Sequence, residues 1–264
     1  MKDSTTANNR KFKSALKAVA AFVFWLAVWK AASAVIDDQL KLFLPPPEAV
    51  LKRLSELICT GSFYKSAGAT LLRIFFGFTF GAALGFLLGL LTFISEIAET
   101  LIAPAMRVVR AVPVVSFIIL AFLFIKVDRL PVFISMLMVT PTVWQGTFDG
   151  LRGTDAELIE MCRVYKVNRQ KELFSVRLPF CMPAVITAAV NALGLAWKSG
   201  VAAEVLCTPQ LSIGYSVARA KGNLDFEGVY ALTLTVVLLS VIFEIVLKTV
   251  CRRFVSGGEK NAET

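Results

Sequence analysis

Charged side chains lie in or at the ends of several apolar segments of this sequence, and four of them are its first candidates for chemistry: Lys30, Arg73, Lys198 and Glu204. A charge inside a bilayer is costly and is therefore a functional candidate by default. Lys30 and Arg73 can extend to the outer interface, and we favour that reading for them. Lys198 and Glu204 are predicted to line a pathway for a solute, where a cation at Lys198 would suit an anion. An internal ion pair, or carbonyl groups at a neighbouring helix end, are the alternatives for Lys198.

Several classes of chemistry have no candidate residues. The chain has no histidine, and its five cysteines are scattered without a CxxC pair. The usual zinc motifs and histidine-based catalysis are therefore excluded, and no metal site is predicted. No GxxxxGK[ST] phosphate loop is present, and acidic residues do not cluster in the apolar segments. We therefore expect no enzyme activity and no cofactor on this chain.

The elements that must position these charges are membrane helices. The chain has 264 residues, of which 56% are hydrophobic, and long stretches without charge approach the roughly 20 residues that cross a bilayer. We predict an all-α, multi-pass membrane protein with six transmembrane helices. The predicted spans are Ala18–Ile36, Leu71–Ile94, Leu101–Ile125, Leu130–Phe148, Pro183–Leu206 and Gly228–Val250.

The distribution of Lys and Arg predicts the orientation. Basic residues concentrate in the N-terminal tail, in the loop between spans four and five, and in the C-terminal tail, so all three are expected in the cytoplasm. This topology also explains the net charge of +9 without a nucleic-acid partner. We divide the chain into a cytoplasmic N-terminal tail at 1–17, a transmembrane domain at 18–253 with a polar loop at 150–180, and a polar C-terminal tail at 254–264. The first span is read as retained, because no cleavage site for a signal peptide precedes a soluble domain.

Glycine and proline mark the packing of these spans. Glycines recur every four residues in the second span, which indicates close approach of another helix from the same chain or from a second copy. They are Gly77, Gly81, Gly85 and Gly89. Pro113 and Pro141 fall inside apolar runs and are expected to bend their helices. The segment at 44–58 predicts an amphipathic helix that lies at the outer interface or packs on the bundle.

The polar loop predicts a helical hairpin. Thr154 and Glu157 have the spacing of a capping box, which predicts a helix from Asp155 to about Tyr165. A turn is expected near residues 166–168, with a second helix beginning near Arg169. Its apolar residues need burial, either under the protein's own helices or in a groove on a soluble partner.

The same loop resembles the cytoplasmic loop of ABC-importer permeases, in which Glu-Ala-Ala and a later glycine precede a hydrophobic Leu-Pro element. Glu160 matches the glutamate and Leu178–Pro179 match the closing pair, while Met161 and Cys162 stand at the alanines and Lys166 at the glycine. Because lysine is disfavoured in a left-handed turn, we expect the turn to shift to Asn168. The segments LPPPEAVL, RVVRAVP, AWKSGVAAEVL and SIGYSV, with the glycine-rich second span, are similar to their counterparts in the nitrate/sulfonate/taurine-type branch.

The resemblance implies the permease subunit of an ATP-binding-cassette importer in the bacterial cytoplasmic membrane. It implies separate ABC ATPase subunits that bind ATP and Mg, an extracytoplasmic substrate-binding protein, a permease homodimer, and a small solute such as a sulfonate, nitrate, taurine or another organic anion. The loop would then be the ATPase-coupling element, with contacts from Asp155, Glu157, Glu160, Met161, Cys162, Lys166, Leu178 and Pro179. An ion-coupled secondary transporter is the alternative, although the sequence shows no convincing internal repeat.

Overall fold

The computed structural model describes residues 3–35 and 42–260, and these residues are helical with short connections and without strands. The helices are α1 (Asp3–Val35), α2 (Pro47–Ile58), α3 (Gly61–Ile94), α4 (Glu96–Ala111), α5 (Val114–Phe122), α6 (Leu130–Arg152), α7 (Ala156–Val164), α8 (Arg169–Glu172), α9 (Leu178–Cys207), α10 (Ile213–Gly222) and α11 (Phe226–Lys260). A π-helical segment, Leu173–Arg177, joins α8 to α9. The described parts of both predicted tails continue α1 and α11 as helix.

Three helical segments of the described chain are long and apolar enough to cross a bilayer: Gly61–Ile94, Arg169–Cys207 and Phe226–Val246. They contain or overlap the second, fifth and sixth predicted spans. The fourth predicted span lies within α6. The first lies within α1 except for Ile36, which is outside the described residues. The chain is therefore an all-helical protein with several membrane-crossing helices, and the number six remains a prediction.

The third predicted span consists of two helices that meet at the bend expected at Pro113, and together they are long and apolar enough for a bent span. Helix α4 ends at Ala111 and α5 begins at Val114, with a bend of 103° between them. Pro113 lacks an N–H and disfavours helical backbone in the residue before it, so Val112 is extended at φ −79° and ψ 132°. Arg110 donates to the Pro141 carbonyl at 2.6 Å, which attaches the end of α4 to α6.

Helix α6 lies between α3 and α9 and forms the centre of the fold. The glycine stripe of α3 faces α6 of the same chain. A Cβ atom added at Gly77, Gly81, Gly85 or Gly89 would stand 2.6 or 2.7 Å from an atom of α6. Such distances are shorter than van der Waals contact, so only glycine permits this separation of the two helices.

Helix α2 packs on the bundle. Proline at its first turn suits helix initiation, and Val50 on its inner face is 1% exposed. Arg53 bridges to Asp225, before α11, with 2.7 Å between Nη2 and Oδ2. Of the two alternatives for this helix, the structure favours packing against α11.

Candidate functional site

The polar loop folds as the expected helical hairpin, but its first cap differs from the prediction. The Asp155 carboxylate accepts a hydrogen bond from the Glu157 amide at 3.0 Å, whereas the Thr154 hydroxyl donates to the Leu151 carbonyl. The prediction of a capping box on Thr154 is therefore wrong, and Asp155 is the N-cap. Asp155 and Thr154 are both good capping residues, and Thr154 is already used to close the end of α6.

Lys166 forms the turn of the hairpin. Its φ of 50° lies in the left-handed region, and the Val167 amide donates to the Cys162 carbonyl at 2.9 Å in the pattern of a Schellman motif. The predicted shift of this turn to Asn168 is wrong, because Asn168 is extended and its side chain caps α8 by accepting from the Gln170 amide. A non-glycine residue in this conformation costs roughly 1–2 kcal/mol.

Arg177 connects the hairpin to helices α3 and α6. This side chain pairs with Glu172 at 2.7 Å, donates to the Leu151 carbonyl at 3.4 Å, and stacks over the Phe93 ring. Leu151 belongs to α6 and Phe93 to α3, so one guanidinium joins the hairpin to both. A displacement of the hairpin would therefore act directly on the centre of the bundle.

Three apolar side chains lie exposed on the outer surface of the hairpin. Met161, Val164 and Tyr165 are 48%, 71% and 76% exposed, while Cys162 between them is buried at 3%. Met161 and Cys162, which stand where the resembled loop has two alanines, thus have different environments: Met161 faces outward and Cys162 faces inward. Among the other predicted coupling residues, Glu157 and Glu160 are exposed, and Leu178–Pro179 begin α9. An exposed apolar surface of this kind is typical of a docking site for another protein.

A polar stripe lies on the exposed side of α9. Thr187, Asn191, Gly194 and Lys198 fall within one narrow face of the helix, since each residue turns it by about 100°. Lys198, Asn191 and Thr187 are exposed, and nothing lies within 4 Å of a Cβ placed at Gly194. Within the described part of the chain, no carboxylate pairs with Lys198. Sequence reasoning identified Lys198 alone, although the seven-residue spacing from Asn191 was a signal for the stripe.

Glu204 lies elsewhere, in the interior, and the structure does not bring it together with Lys198. Its carboxylate accepts from the Thr70 hydroxyl at 2.8 Å, from the Gly214 amide at 3.4 Å and from Arg73 at 3.4 Å. Glu204 is completely buried. It therefore connects α9 with α3 and with the start of α10.

Arg73, which we expected to extend to the outer interface, takes part in this network. It also donates to the carbonyls of Gln210 and Leu211, and Asp128 lies 3.7 Å away. The network fixes the loop between α9 and α10 to α3. Lys30, by contrast, is exposed and pairs with Glu48.

The described residues contain no group of His, Cys, Asp or Glu side chains that could hold a metal ion. Apolar helices that carry a polar hairpin, an exposed polar stripe and an interior ionic network are those of a multi-pass membrane protein.

The comparisons assign this membrane protein to a family. The family model for the binding-protein-dependent transport system inner membrane component matches residues 67–256, and the chain belongs to that family. It is 30% identical over 191 residues to the aliphatic sulfonates transport permease protein SsuC of Bacillus subtilis, covering 71% of this chain and 68% of that one. It is 23% identical to the taurine transport system permease protein TauC of Escherichia coli, covering 80% and 79%.

Solved structures share the fold. A methionine ABC transporter in inward-facing conformations matches with a TM-score of 0.61 at 15% identity, covering 73% of this chain and 95% of that one. An amino acid ABC transporter matches with a TM-score of 0.63 at 16% identity, covering 76% and 97%. The chain is thus an importer permease of the ATP-binding-cassette class, and the alternative of an ion-coupled secondary transporter is not favoured.

Proposed function

We propose that this permease carries a small organic anion, such as a sulfonate, and that the polar stripe of α9 lines its path. The relatives named for sulfonates and taurine support this substrate class, as does a bicarbonate transport permease of Synechococcus elongatus at 25% identity over 56% of this chain. Nitrate, another small anion, suits the same chemistry. The observation that carries the proposal is Lys198, an exposed lysine without a carboxylate partner among the described residues, which lies two turns from Asn191 on the same face of α9.

The exposed polar stripe also supports a dimer. A lysine and an asparagine in contact with lipid within the membrane would be costly, so either water or another protein surface should contact the stripe. A second copy of the chain would place two stripes across one water-filled pathway. In this arrangement each copy spans the bacterial cytoplasmic membrane six times, with both termini in the cytoplasm and the charged hairpin on the same side.

The hairpin is proposed to couple this pathway to separate ATPase subunits. Its apolar surface at Met161, Val164 and Tyr165 supports docking into a groove, and Arg177 offers the connection to α3 and α6. ATP and Mg would bind to the ATPases. An extracytoplasmic substrate-binding protein would deliver the solute to the opposite face.

Uptake by a Lys198→Met variant tests the pathway. Membranes containing the complete transporter should take up an alkanesulfonate much more slowly with this variant, while ATPase co-purification stays unchanged. Lys221→Met is the matched control, because Lys221 is also exposed but lies on α10. Equal uptake by Lys198→Met and wild type at equal expression would refute the assignment of the stripe.

Co-purification of the ATPase tests the hairpin. Val164→Asp places a charge in the apolar surface, and a central interface residue contributes about 2 kcal/mol or more, which corresponds to a loss of about thirtyfold in affinity. Leu224→Asp is the control, because Leu224 is 61% exposed but precedes α11. Retention of the ATPase by Val164→Asp would exclude this surface as the docking site.

A further inference from the structure

A cavity of about 840 Å³ lies between the hairpin and the end of α3. It adjoins the apolar surface of Met161, Val164 and Tyr165, because Arg163 and Lys166 in its lining flank Val164 and Tyr165 in the chain. On α7, Ile159 and Arg163 are four residues apart and face the cavity, whereas Met161 points roughly the opposite way, since two residues turn a helix by about 200°. A partner centred on Met161 would therefore lie on the other side of α7 from Ile159 and Arg163.

The wall of this cavity is strongly basic. Arg163, Lys166, Arg169 and Arg177 line it together with one carboxylate, Glu172, which already pairs with Arg177. Arg163, Lys166 and Arg169 are exposed, and no acidic residue of the described chain pairs with them. Three uncompensated cations around one cavity create a field that attracts an anion.

The opposite wall is apolar. Phe93 and Ile94 end the uncharged part of α3, and Ile94 is 60% exposed. Phe174, also 60% exposed, contributes a further apolar surface. Because the chain becomes acidic at Glu96, immediately after α3, we place the boundary between hydrocarbon and water near Ile94. The cavity therefore combines a hydrophobic wall on the membrane side with cations on the aqueous side.

We infer that this cavity binds an anionic phospholipid of the cytoplasmic leaflet, with its phosphate against Arg163 and Arg169 and an acyl chain along Ile94 and Phe174. Basic pockets at the cytoplasmic ends of membrane helices suit such headgroups. A soluble acidic peptide would match the cations but leave the apolar wall uncovered. The bound lipid would brace the hairpin against α3 at the same junction that Arg177 fastens. The inference rests on the proposed cytoplasmic side of the hairpin, but not on which solute the permease carries.

Lipid retention by the purified permease tests this assignment. Native mass spectrometry would compare dioleoylphosphatidylglycerol with dioleoylphosphatidylcholine, and we expect selective retention of the first. The double variant Arg163→Gln, Arg169→Gln should weaken phosphatidylglycerol binding by about fivefold for each cation removed. A matched double variant, Lys52→Gln with Lys171→Gln, also loses two exposed cations, neither of which lines the cavity. It should bind as wild type does.

Other occupants predict different results. Complete displacement of phosphatidylglycerol by inorganic phosphate would overturn the lipid assignment, because the acyl chain would then contribute nothing. Unchanged lipid binding by the Arg163, Arg169 double variant, with loss of the co-purifying ATPase, would assign the cavity to the ATPase instead. Because both arginines are exposed, wild-type thermal stability is expected for the variant. A lowered melting temperature with loss of lipid selectivity would make the arginines structural and would also contradict the inference.

Discussion

Replacing Gly85 with alanine should destabilise the contact between α3 and α6, and the structure gives the size of the effect. The new Cβ would lie 2.6 Å from the Thr140 carbonyl oxygen and 3.0 Å from the Trp144 amide nitrogen. The first distance is about 0.8 Å shorter than ordinary van der Waals contact, so the helices must separate. The atoms in conflict belong to the backbone, which cannot move aside as a flexible side chain can.

Two opposing terms determine the change in stability. Alanine is the better helix former by about 0.8–1.0 kcal/mol, while forcing an extra methyl group into a packed contact costs about 1–3 kcal/mol. Gly68 separates the two terms, because it lies in the same helix and nothing stands within 4 Å of its added Cβ. Gly68→Ala therefore gives the propensity effect alone. Relative to it, Gly85→Ala should lose about 1–3 kcal/mol, or roughly 2–12 °C in melting temperature.

Thermal unfolding of the purified permease in detergent, followed by tryptophan fluorescence, would measure this difference. Trp144 is a suitable reporter, because it lies in the same contact and donates to Thr92 on α3 at 3.0 Å. Gly81→Ala should behave as Gly85→Ala does, since its Cβ would meet the Met136 carbonyl oxygen at 2.7 Å. The reasoning is refuted if Gly85→Ala melts at the same temperature as Gly68→Ala or above it.

Three further predictions concern the turn, the interior network and one surface ion pair. At Lys166, substitution by valine should lower the melting temperature and substitution by glycine should not, because a β-branched residue is strained at φ 50°; the reverse order would contradict the turn geometry. Glu204→Ala should lower the free energy of unfolding by about 3–5 kcal/mol, because it leaves Arg73 without its buried partner. The double variant with Arg73→Ala should lose less stability than the sum of the two single variants. Additive losses in a thermal double-mutant cycle would argue against direct contact. Burial raises the pKa of the Asp225 carboxyl, but hydrogen bonds from Arg53 and the Gly228 amide outweigh it and hold the pKa below 3.8. The stability that this pair contributes is therefore present above pH 3.8 and is lost as the pH falls through the lowered pKa; Asp225→Asn should abolish that part of the pH dependence, and identical acid unfolding of variant and wild type would count against it.

The helices and the hairpin could be predicted from local signals, and so could the family. Uncharged stretches at Ile74–Ile94 and Leu178–Trp197 lie within helices α3 and α9, and the polar segment between residues 150 and 180 folds as a helical hairpin. Such features depend on residues that are neighbours in the sequence. The bend at Pro113 was also visible as a tendency, although composition does not give its angle.

The interior network could not be predicted, because its members are distant in the sequence. Arg73 and Glu204 are 131 positions apart, and their separate segments show only that each holds a charge. Whether such a charge reaches water or finds a partner depends on how α3 and α9 are rotated about their axes. The partner of the glycine stripe was undetermined for the same reason, since a small-residue face does not identify the helix that it contacts.

The helical segment from Arg169 to Cys207, which continues through a π-helical turn, has a mechanical consequence. Its 39 residues correspond to about 58 Å of length, so a tilt of about 10° around its centre would move each end by about 5 Å. One end belongs to the hairpin, and the other leads into the loop that Arg73 holds against α3. The π-helical segment Leu173–Arg177 is the point at which such a lever would flex first, because its hydrogen bonding departs from the regular helix. The stiffness of α9 would then determine how much of a small movement of the hairpin reaches the loop after Cys207.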